Sequence, residues 1–359
     1  IQPKGEPVMT SRAALLANLA TVEAAVSDST AVPVLCQFWF TGKRLVAFNG
    51  IIGISVPCET KFKGGVPKTL KQLLETSAAQ DIELLDDKDV LHVKAASSKF
   101  KLAIMPIADF DDYLNTQPAV PKEPYAVDIP ETLSALAMAM RAVGNEKVRA
   151  DMMGVTFIQV KKELHLFGTD TKTVSYGRAS GKMDVPRAIL PIEFCKEAVK
   201  LFKDENDATL EITKGDALLF GPDSGIKLWA ATLVPEAEEL DFFGLCVDPN
   251  EGDDFPIPET FAAAVQRAAI IGKSGVARTK TELTVSNGGT VALYTKSEVG
   301  EVKDQFTLKG HGAQDCDVNA ALLAEGADLE DMRVTEHAVV FSKEGGRLAY
   351  YVSHVGRED

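Results

Sequence analysis

The sequence predicts an α+β protein in which one domain is repeated three times along the chain. The first observation is the tetrapeptide Ile-Pro-Glu-Thr, which occurs at 129–132 and again at 257–260. The second is the order helix, strands, helix, strands around both copies, which is also found from near residue 10. The third is the length, because 359 residues are too many for one hydrophobic core. Each unit is expected to be a two-layer domain with both helices on one side of an antiparallel sheet.

An amphipathic helix is predicted at the start of each unit, near residues 11, 130 and 258. Apolar residues recur there at intervals of three and four, which places them on one helix face. Proline suits the first turn of a helix because the N–H that it lacks would have no partner within the helix. Glutamate suits the same turn because the helix dipole favours a carboxylate there. The predicted buried stripes are Leu15, Leu19, Val22 and Val26; Leu133, Leu136, Ala137 and Met140; and Phe261, Ala264, Val265 and Ala268.

A β-rich stretch follows each first helix, and a second helix with another β-rich stretch completes the unit. The second helices are predicted from 67, 191 and 318, and Gly- and Asn-containing turns between the strands favour hairpins. Pro- and Asp/Asn-rich segments at 115–124 and 247–256 lack periodicity and mark the junctions. The predicted domains are therefore 1–116, 117–248 and 249–359.

Composition and charge favour a cytoplasmic protein with no membrane partner. Apolar residues make up 45% of the chain and charged residues 25%, as in ordinary globular proteins. No apolar run reaches the ~18–20 residues that cross a bilayer, and the segment IQPKGEPVMTSR lacks the apolar core of a secretory signal. Five scattered cysteines indicate reduced thiols. The net charge of −14 argues against indiscriminate nucleic-acid binding.

No pattern typical of an enzyme is present, so we expect no catalytic activity, no cofactor and no metal. The histidines are isolated, and phosphate-binding loops, nucleophile elbows and dinucleotide fingerprints are missing from the sequence. The segment GTDTKT (168–173) favours a hairpin turn. The alternative is an enzyme with an atypical interdomain site, for which Cys195 and Asp170 are the first candidates.

Three stretches resemble the bacterial-type sliding clamp, the β subunit of DNA polymerase III. They are SKFKLAIMPIADFDDY (98–113), VRADMMGVTFIQVKKELHLFGTDTKTVSYGRA (148–179) and FAAAVQRAAIIGK (261–273), and the likeness extends over about residues 8–355. The resemblance implies a head-to-tail homodimeric ring of six domains, with helices around a hole through which double-stranded DNA passes without sequence readout. It also implies DNA polymerase, other clamp-binding proteins and a clamp loader as partners.

A sliding contact requires diffuse positive charge without base-specific hydrogen bonds. The helix at 192–203 meets this need, because its lysines lie on a face away from its apolar residues. The candidate DNA-binding residues are Lys68, Lys71, Arg141, Lys147, Arg149, Lys196, Lys200, Lys203, Arg267 and Lys273. Ser29 stands where the family has a DNA-contacting arginine, and Ala150 and Asp151 where some clamps have aromatic residues. These departures leave open a clamp-fold peptide-binding scaffold that does not slide on DNA.

The resemblance also implies a peptide-binding pocket and a subunit interface. The matching pocket positions are Met152, Thr169, Thr171, Lys172, Val174, Leu245, Tyr351, Val352, Ser353, His354 and Val355. The matching interface positions are Leu74, Phe100 and Leu102 on one side and Ile270, Ile271, Glu298 and Glu301 on the other. Edge strands that join across subunits would satisfy N–H and C=O groups that are otherwise exposed.

Overall fold

The computed structural model describes residues 8–144, 149–234, 240–246, 254–273, 281–286, 289–307 and 314–354. The fold is α+β with antiparallel sheets, as the sequence predicts. The described residues divide into two compact units, the first within Ile1–Pro130 and Gly181–Thr232 and the second within Glu131–Ser180 and Leu233–Asp359. Among these residues, no helix has the length and apolar character needed to span a membrane.

Helices and strands follow one another in the predicted order. Up to residue 116 they are β1 (Val8–Ser11), α1 (Arg12–Val22), β2 (Gln37–Phe40), β3 (Arg44–Phe48), β4 (Ile52–Pro57), β5 (Gly64–Pro67), α2 (Thr69–Glu75), β6 (Asp81–Asp87), β7 (Val90–Ala95), β8 (Ser98–Ala103) and α3 (Asp111–Leu114). Up to residue 234 they are α4 (Ile129–Ala139), α5 (Ala150–Met153), β9 (Gly154–Val160), β10 (Glu163–Thr169), β11 (Thr173–Ser180), β12 (Arg187–Pro191), α6 (Ile192–Phe202), β13 (Thr209–Ile212), β14 (Asp216–Phe220) and β15 (Lys227–Ala231). The remainder are α7 (Phe242–Leu245), β16 (Phe255–Pro256), α8 (Phe261–Lys273), β17 (Thr281–Val285), β18 (Thr290–Ser297), β19 (Gly300–Thr307), β20 (Gln314–Val318), α9 (Ala320–Ala324), β21 (Asp331–Val334), β22 (Ala338–Lys343) and β23 (Leu348–Ser353).

The first helices, α1, α4 and α8, begin close to the predicted positions, and the apolar stripes of α1 and α8 are buried throughout. The stripe predicted for α4 is wrong at two positions, because Ala137 is exposed and Met140 is only half-buried. Ala135 and Ala139 are fully buried in their place. The buried face of α4 is thus rotated from the one that the apolar spacing indicates.

Two glycines account for the orientation of α4. A Cβ atom on Gly168 would lie 2.0 Å from the carbonyl oxygen of Ala139, and one on Gly177 would lie 2.6 Å from the Cα atom of Ala135. The two glycines lie on the paired strands β10 and β11. Because neither position carries a side chain, the helix backbone packs directly against the sheet. Contact between small residues leaves no signal in hydrophobic periodicity, which is why the sequence prediction missed it.

The first unit contains two sheets, with strand orders β1-β6-β7-β8 and β13-β14-β15-β4-β3-β2-β5. In the second of these, β15 pairs with β4, so strands from the first and second predicted domains share one sheet. The Trp39 and Phe110 rings stack in its core with centroids 4.6 Å apart. Arg44 donates hydrogen bonds to the carbonyl oxygens of Ser55 at 3.1 Å and Gly225 at 2.5 Å, which ties a distant loop to the sheet.

The second unit contains a sheet in which β9-β10-β11-β23-β22-β21-β16 are neighbours, and a sheet of order β19-β18-β17-β20. The pairing of β11 with β23 joins residues that the sequence places in different domains. Helix α8 packs on the second of these sheets, where Phe261 and Phe306 have ring centroids 5.3 Å apart, and Phe261 also lies 5.7 Å from Phe341 of the first sheet. The short helix α7 packs on a face that includes Phe167, and this face carries the candidate site.

Candidate functional site

The strand register of the second unit defines one continuous face, which we call the groove face. Directly opposite residues of antiparallel strands lie on the same side of a sheet. Two rows of such residues cross β10, β11, β23, β22 and β21: Thr169, Val174, Tyr351, Val340 and Arg333 in the first, and Phe167, Tyr176, Ala349 and Ser342 in the second. The groove face is therefore aromatic at its centre and carries a cation at one side.

Helix α7 lies against the groove face and presents two adjacent phenylalanines differently. The Asp241 carboxylate caps the helix by accepting a hydrogen bond from the Gly244 N–H at 3.0 Å. Phe242 is 1% exposed and stacks on Phe167, whereas Phe243 is 47% exposed. The Phe243 ring stands edge-on to Phe167 at 5.2 Å. One ring thus completes the core, and the next forms part of the surface.

A groove of about 470 Å³ opens beside α7, and we call it the aromatic groove. Its apolar walls are the rings of Phe167, Tyr176, Phe243 and Tyr351. Its polar lining includes Arg178, Asp254, Arg333 and Ser342. A concave site with aromatic walls and few polar groups is the usual form of a ligand or peptide site.

Burial moves the tyrosine and cysteine side chains of the aromatic groove further from ionisation. It raises the pKa of Tyr176 and of the Cys246 thiol to about 12, and it also raises the pKa of Tyr351. The Tyr176 hydroxyl lies 3.0 Å from Nδ1 of His165, whose pKa is lowered by burial. The charges that line the groove in the described residues are therefore Arg178, Arg333 and Asp254.

The residues predicted for the peptide pocket are divided between two grooves. Tyr351 lines the aromatic groove, and Val174 lies beside it in a buried cluster that includes Phe242. Thr169 is on the same face but is buried, and its hydroxyl donates to the Thr173 carbonyl oxygen at 2.8 Å. Leu245 is exposed on α7.

A second groove of about 600 Å³ is lined by Met152, Thr171 and Lys172, together with Arg141 and Tyr350. Val352 is fully buried and pairs with Thr173, so it belongs to neither row of the groove face. Ser353 is exposed and His354 is half-buried after the end of the sheet. Val355 lies outside the described residues.

Sequence reasoning missed Tyr176, Arg178, Phe243 and Arg333. The signal for the first two was present, because alternate residues of a strand point to one face and Val174 was already a candidate. Phe243 and Arg333 reach the aromatic groove from distant parts of the chain. Only the tertiary contacts bring these residues together.

Most of the candidate DNA-binding residues are ion-paired. The pairs are Lys68 with Asp28 (2.6 Å), Lys71 with Glu23 (3.0 Å) and Glu75 (2.9 Å), Arg141 with Asp328 (2.6 Å), Arg149 with Asp151 (3.0 Å), Lys200 with Glu197 (3.0 Å) and Arg267 with Asp304 (2.7 Å). Lys147 and the side chain of Lys273 lie outside the described residues. The hydrogen bonds that Lys71 donates to Glu75 and Glu23 raise its pKa, and the bond that Arg141 donates to Asp328 raises the pKa of Arg141. These cations are already partly neutralised, so their attraction for phosphate is weak.

Helix α6 carries the clearest basic surface. Lys196, Lys200 and Lys203 are exposed, while Cys195 and Phe202 are buried, which confirms the predicted separation of the two faces. Lys203 lies 4.0 Å from Asp204, so it is barely neutralised. The helix therefore presents a cationic stripe to solvent.

Some of the candidate interface residues lie on edge strands, and Ile270 and Ile271 lie near the C-terminal end of α8. Strands β8 and β19 are the edge strands of their sheets, and Phe100 on β8 is half-buried. Ile270 is 65% exposed, and Val299, which the sequence did not single out, is 61% exposed. Ile271 is half-buried at the same end of α8.

The other predicted interface positions differ from these in burial. Leu74 is fully buried in the core of the first unit, and Leu102 is 9% exposed. Glu298 and Glu301 are exposed around the β18–β19 turn, and the Tyr294 hydroxyl donates to Glu301 at 3.0 Å. The exposed members thus form a mixed apolar and acidic surface.

The two residues suspected of catalysis have structural contacts. Cys195 is buried on α6, and its thiol lies 3.7 Å from the Leu190 carbonyl oxygen. The Asp170 carboxylate accepts hydrogen bonds from the N–H groups of Lys172 at 3.0 Å and Thr173 at 2.7 Å, which forms the predicted turn between β10 and β11. Within the described ranges, no group of three or more His, Cys, Asp and Glu residues is placed to hold a metal ion.

Comparison with known proteins identifies the fold. No protein-family model matches the sequence, and no curated protein matches it significantly. The structure is similar to the β subunit from DNA polymerase of Streptococcus pyogenes, with a TM-score of 0.83, 16% identity and coverage of 98% of this chain and 100% of that one.

Two further solved structures show the same likeness. A putative DNA polymerase III β subunit from Eubacterium rectale has a TM-score of 0.83 at 15% identity, with coverage of 98% of this chain and 100% of that one. A sliding clamp from Pseudomonas aeruginosa bound to griselimycin has a TM-score of 0.80 at 17% identity, with the same coverage. The chain has the fold of these proteins, so the resemblance stated from the sequence is confirmed at the level of the fold.

Proposed function

We propose that this chain is a sliding clamp, a DNA polymerase processivity factor that closes around duplex DNA as a head-to-tail homodimer. The observation that carries the proposal is the match of 98% of the chain to the full length of sliding-clamp structures, at TM-scores of 0.83 and 0.80. The proposal includes three clamp domains, at 1–116, 117–248 and 249–359. It also includes a polymerase and a clamp loader as partners, and a cytoplasmic location.

The charge distribution supports retention by topology rather than by affinity. A ring that slides needs weak, interchangeable phosphate contacts, because tight contacts would hold it in one place. Lys196 and Lys203 of α6 supply such contacts, while ion pairs such as Lys200–Glu197, Arg141–Asp328 and Arg267–Asp304 weaken others. A net charge of −14 is compatible with this function because a closed ring does not depend on net attraction to DNA.

Dimer closure would use the edge strands β8 and β19. Lys99 and Lys101 are exposed on β8, and the β18–β19 hairpin exposes Glu298 and Glu301 beside Lys296 and Lys303, so the two carboxylates are the groups available to pair with β8. Head-to-tail pairing of these edges would hydrogen-bond their outer N–H and C=O groups. It would also cover Ile270, whose apolar side chain is otherwise in water.

The aromatic groove is the proposed docking site for peptides of polymerase and other replication proteins. Its rings offer apolar contact to large side chains, and fully burying one such side chain stabilises a complex by ~1.5–3 kcal/mol. Two anchors therefore supply ~3–6 kcal/mol, and backbone and flanking contacts must provide the rest of the ~8 kcal/mol that micromolar binding requires. Phe243 and Leu245 extend the apolar surface beside the groove because both are exposed on α7.

A topological trap tests the clamp function. The protein is mixed with linear duplex DNA, the DNA is circularised by ligation, and gel filtration at high salt separates free protein from retained protein. We expect retention on circles and release when a restriction enzyme reopens them. The matched control is Ile270→Asp, which removes the apolar interface contact and should abolish retention. Retention that survives linearisation would contradict the clamp function.

The ion pairing of the basic residues favours one other function, a clamp-fold peptide-binding scaffold that does not encircle DNA. The same trap separates the two functions. A scaffold would form dimers and bind peptides, yet circular and linear DNA would retain it equally poorly.

A further inference from the structure

Strand β11 presents three different chemistries in order along the groove face. Val174, Tyr176 and Arg178 are alternate residues of one strand, so their side chains point to the same side of the sheet. Val174 belongs to a buried cluster, Tyr176 is half-buried, and the Arg178 side chain is 44% exposed at the groove. A ligand in the groove meets the Tyr176 ring and then the Arg178 cation, whereas Val174 is buried in the cluster that contains Phe242.

Two arginines and one carboxylate line the aromatic groove. Arg333 is nearly buried, with its side chain 7% exposed, and its Nε atom lies 3.6 Å from Asp254 Oδ1. The Asp254 charge is therefore directed at Arg333. The lining has a net charge of one positive, from two arginines and one aspartate, on a chain whose net charge is −14.

The Arg178 guanidinium has capacity for a further partner. Among the described residues it forms an ion pair with Glu163, whose Oε1 atom lies 3.6 Å from Nη1, the same separation as in the Arg333–Asp254 pair. At this distance the pair engages no N–H of Arg178 in a hydrogen bond. The neighbouring Arg347 directs its own guanidinium at Glu344 and donates to the Arg178 carbonyl oxygen at 2.9 Å. That bond supports the Arg178 backbone without engaging its side chain.

We infer that the aromatic groove selects peptides in which an acidic side chain lies next to a large apolar one, and that Arg178 binds the carboxylate. The apolar side chain packs against Tyr176 and Phe243, and the planar guanidinium donates two parallel N–H bonds to the acid. This inference rests on the proposed peptide site and specifies its ligand. The chemistry is that of an acidic peptide segment and not of nucleic acid, because four aromatic rings stand beside only two arginines, one of which is paired with Asp254.

The expected preference is modest because Arg178 is partly exposed and solvent screens its charge. Ion pairs of this kind contribute up to about 1 kcal/mol, which corresponds to roughly fivefold in affinity. The preference should decrease at high salt, where exposed charges interact less. Apolar contacts with the rings should be nearly independent of salt.

Fluorescence anisotropy with matched peptides on the full-length protein tests the inference. The probes share a Leu-Phe anchor and carry Glu at one flanking position, and each has a counterpart with Gln at that position. We expect the wild-type protein to prefer Glu at one position or more by roughly fivefold. In Arg178→Gln the preference should vanish while binding of the Gln peptides is unchanged, which also shows that the variant is folded.

Two further variants sharpen the comparison. Lys162→Gln removes the same charge from an exposed position in the β9–β10 turn, outside the groove lining, and should keep the preference. Arg178→Lys should keep only part of it, because an ammonium lacks the two-pronged geometry. Equal binding of Glu and Gln peptides by wild type, or an acid preference that survives in Arg178→Gln, would overturn this inference alone. Failure of every Leu-Phe peptide to bind would overturn the peptide site as well. The clamp function is tested separately, by the topological trap.

Discussion

The ring of Phe242 stacks on that of Phe167, with centroids 5.1 Å apart and planes inclined by 22°. The two residues are 75 positions apart in the sequence (242 − 167), yet this contact attaches α7 to the groove face. Phe242 also belongs to the buried cluster that contains Val174 and Tyr351. The chain's own aromatic ring thus covers part of the surface that the sequence assigned to peptide binding, and the open groove lies beside it.

Phe242→Ala should reduce the free energy of unfolding by about 3–5 kcal/mol, because it leaves a cavity where a fully buried ring packs. Phe243→Ala is the matched control and should change stability by less than about 1 kcal/mol, since that ring is half-exposed. Peptide affinity should nevertheless fall in Phe243→Ala. Urea denaturation and anisotropy measure the two effects. Equal stability of both variants would show that α7 is not anchored by Phe242.

Gly168→Ala should destabilise the protein by about 1–3 kcal/mol, because its Cβ atom would overlap the Ala139 carbonyl oxygen at 2.0 Å. The control is Gly215→Ala, where a Cβ atom meets nothing within 4 Å. Thermal unfolding of the two variants gives the comparison. A melting temperature of Gly168→Ala equal to that of wild type would mean that α4 does not press on β10.

Ile270→Asp should prevent the proposed dimer from forming without loss of stability, because the side chain is 65% exposed in the single chain and lies in the proposed interface. Leu74→Ala should lower stability without changing the oligomeric state, since Leu74 lies in the core of the first unit. Analytical ultracentrifugation should give a wild-type mass near twice 38.6 kDa. A wild-type chain that sediments as a monomer at micromolar concentration would contradict the proposed ring.

Replacing Lys196 and Lys203 together by Gln should weaken binding to linear duplex DNA. It should also reduce the slope of log K against log salt by ~0.9 for each phosphate contact that is lost. Lys71→Gln is the comparison, because Lys71 is paired with Glu23 and Glu75 and should contribute little. An unchanged slope in the double variant would place the DNA contacts elsewhere on the chain.

Acidification should lower stability through His165. Burial lowers the pKa of His165 in the folded state, so the proton binds more readily to the unfolded chain. The stability that depends on a neutral His165 is therefore fully present above the unfolded pKa of about 6.5. It is lost as the pH falls below that value. Denaturation at several pH values should show a shallower acid decline in His165→Gln than in wild type. Identical pH profiles would mean that His165 does not titrate in this range.

The repeated helices were predictable because the signals that specify them are local. Apolar spacing placed α1, α4 and α8, and the amphipathic pattern of α6 separated its lysines from Cys195 and Phe202 correctly. The turn around Asp170 was predictable for the same reason, since the carboxylate bonds to N–H groups two and three residues ahead. Such features depend on neighbours within one or two turns of chain, so the amino-acid order alone is sufficient to specify them.

The groove depends on contacts between distant residues, which periodicity does not encode. Pairing of β11 with β23 sets Val174 opposite Tyr351, and a one-residue change of register would turn every one of these side chains to the other face. The rotation of α4 follows from glycines on β10 and β11, and the burial of Phe242 follows from a ring that lies far away in the sequence. Arg178 and Arg333 reach the same groove only because five strands align between β10 and β21. Long-range hydrogen bonding and close packing therefore decided the site, because these interactions act on residues that are neighbours in space and not along the chain.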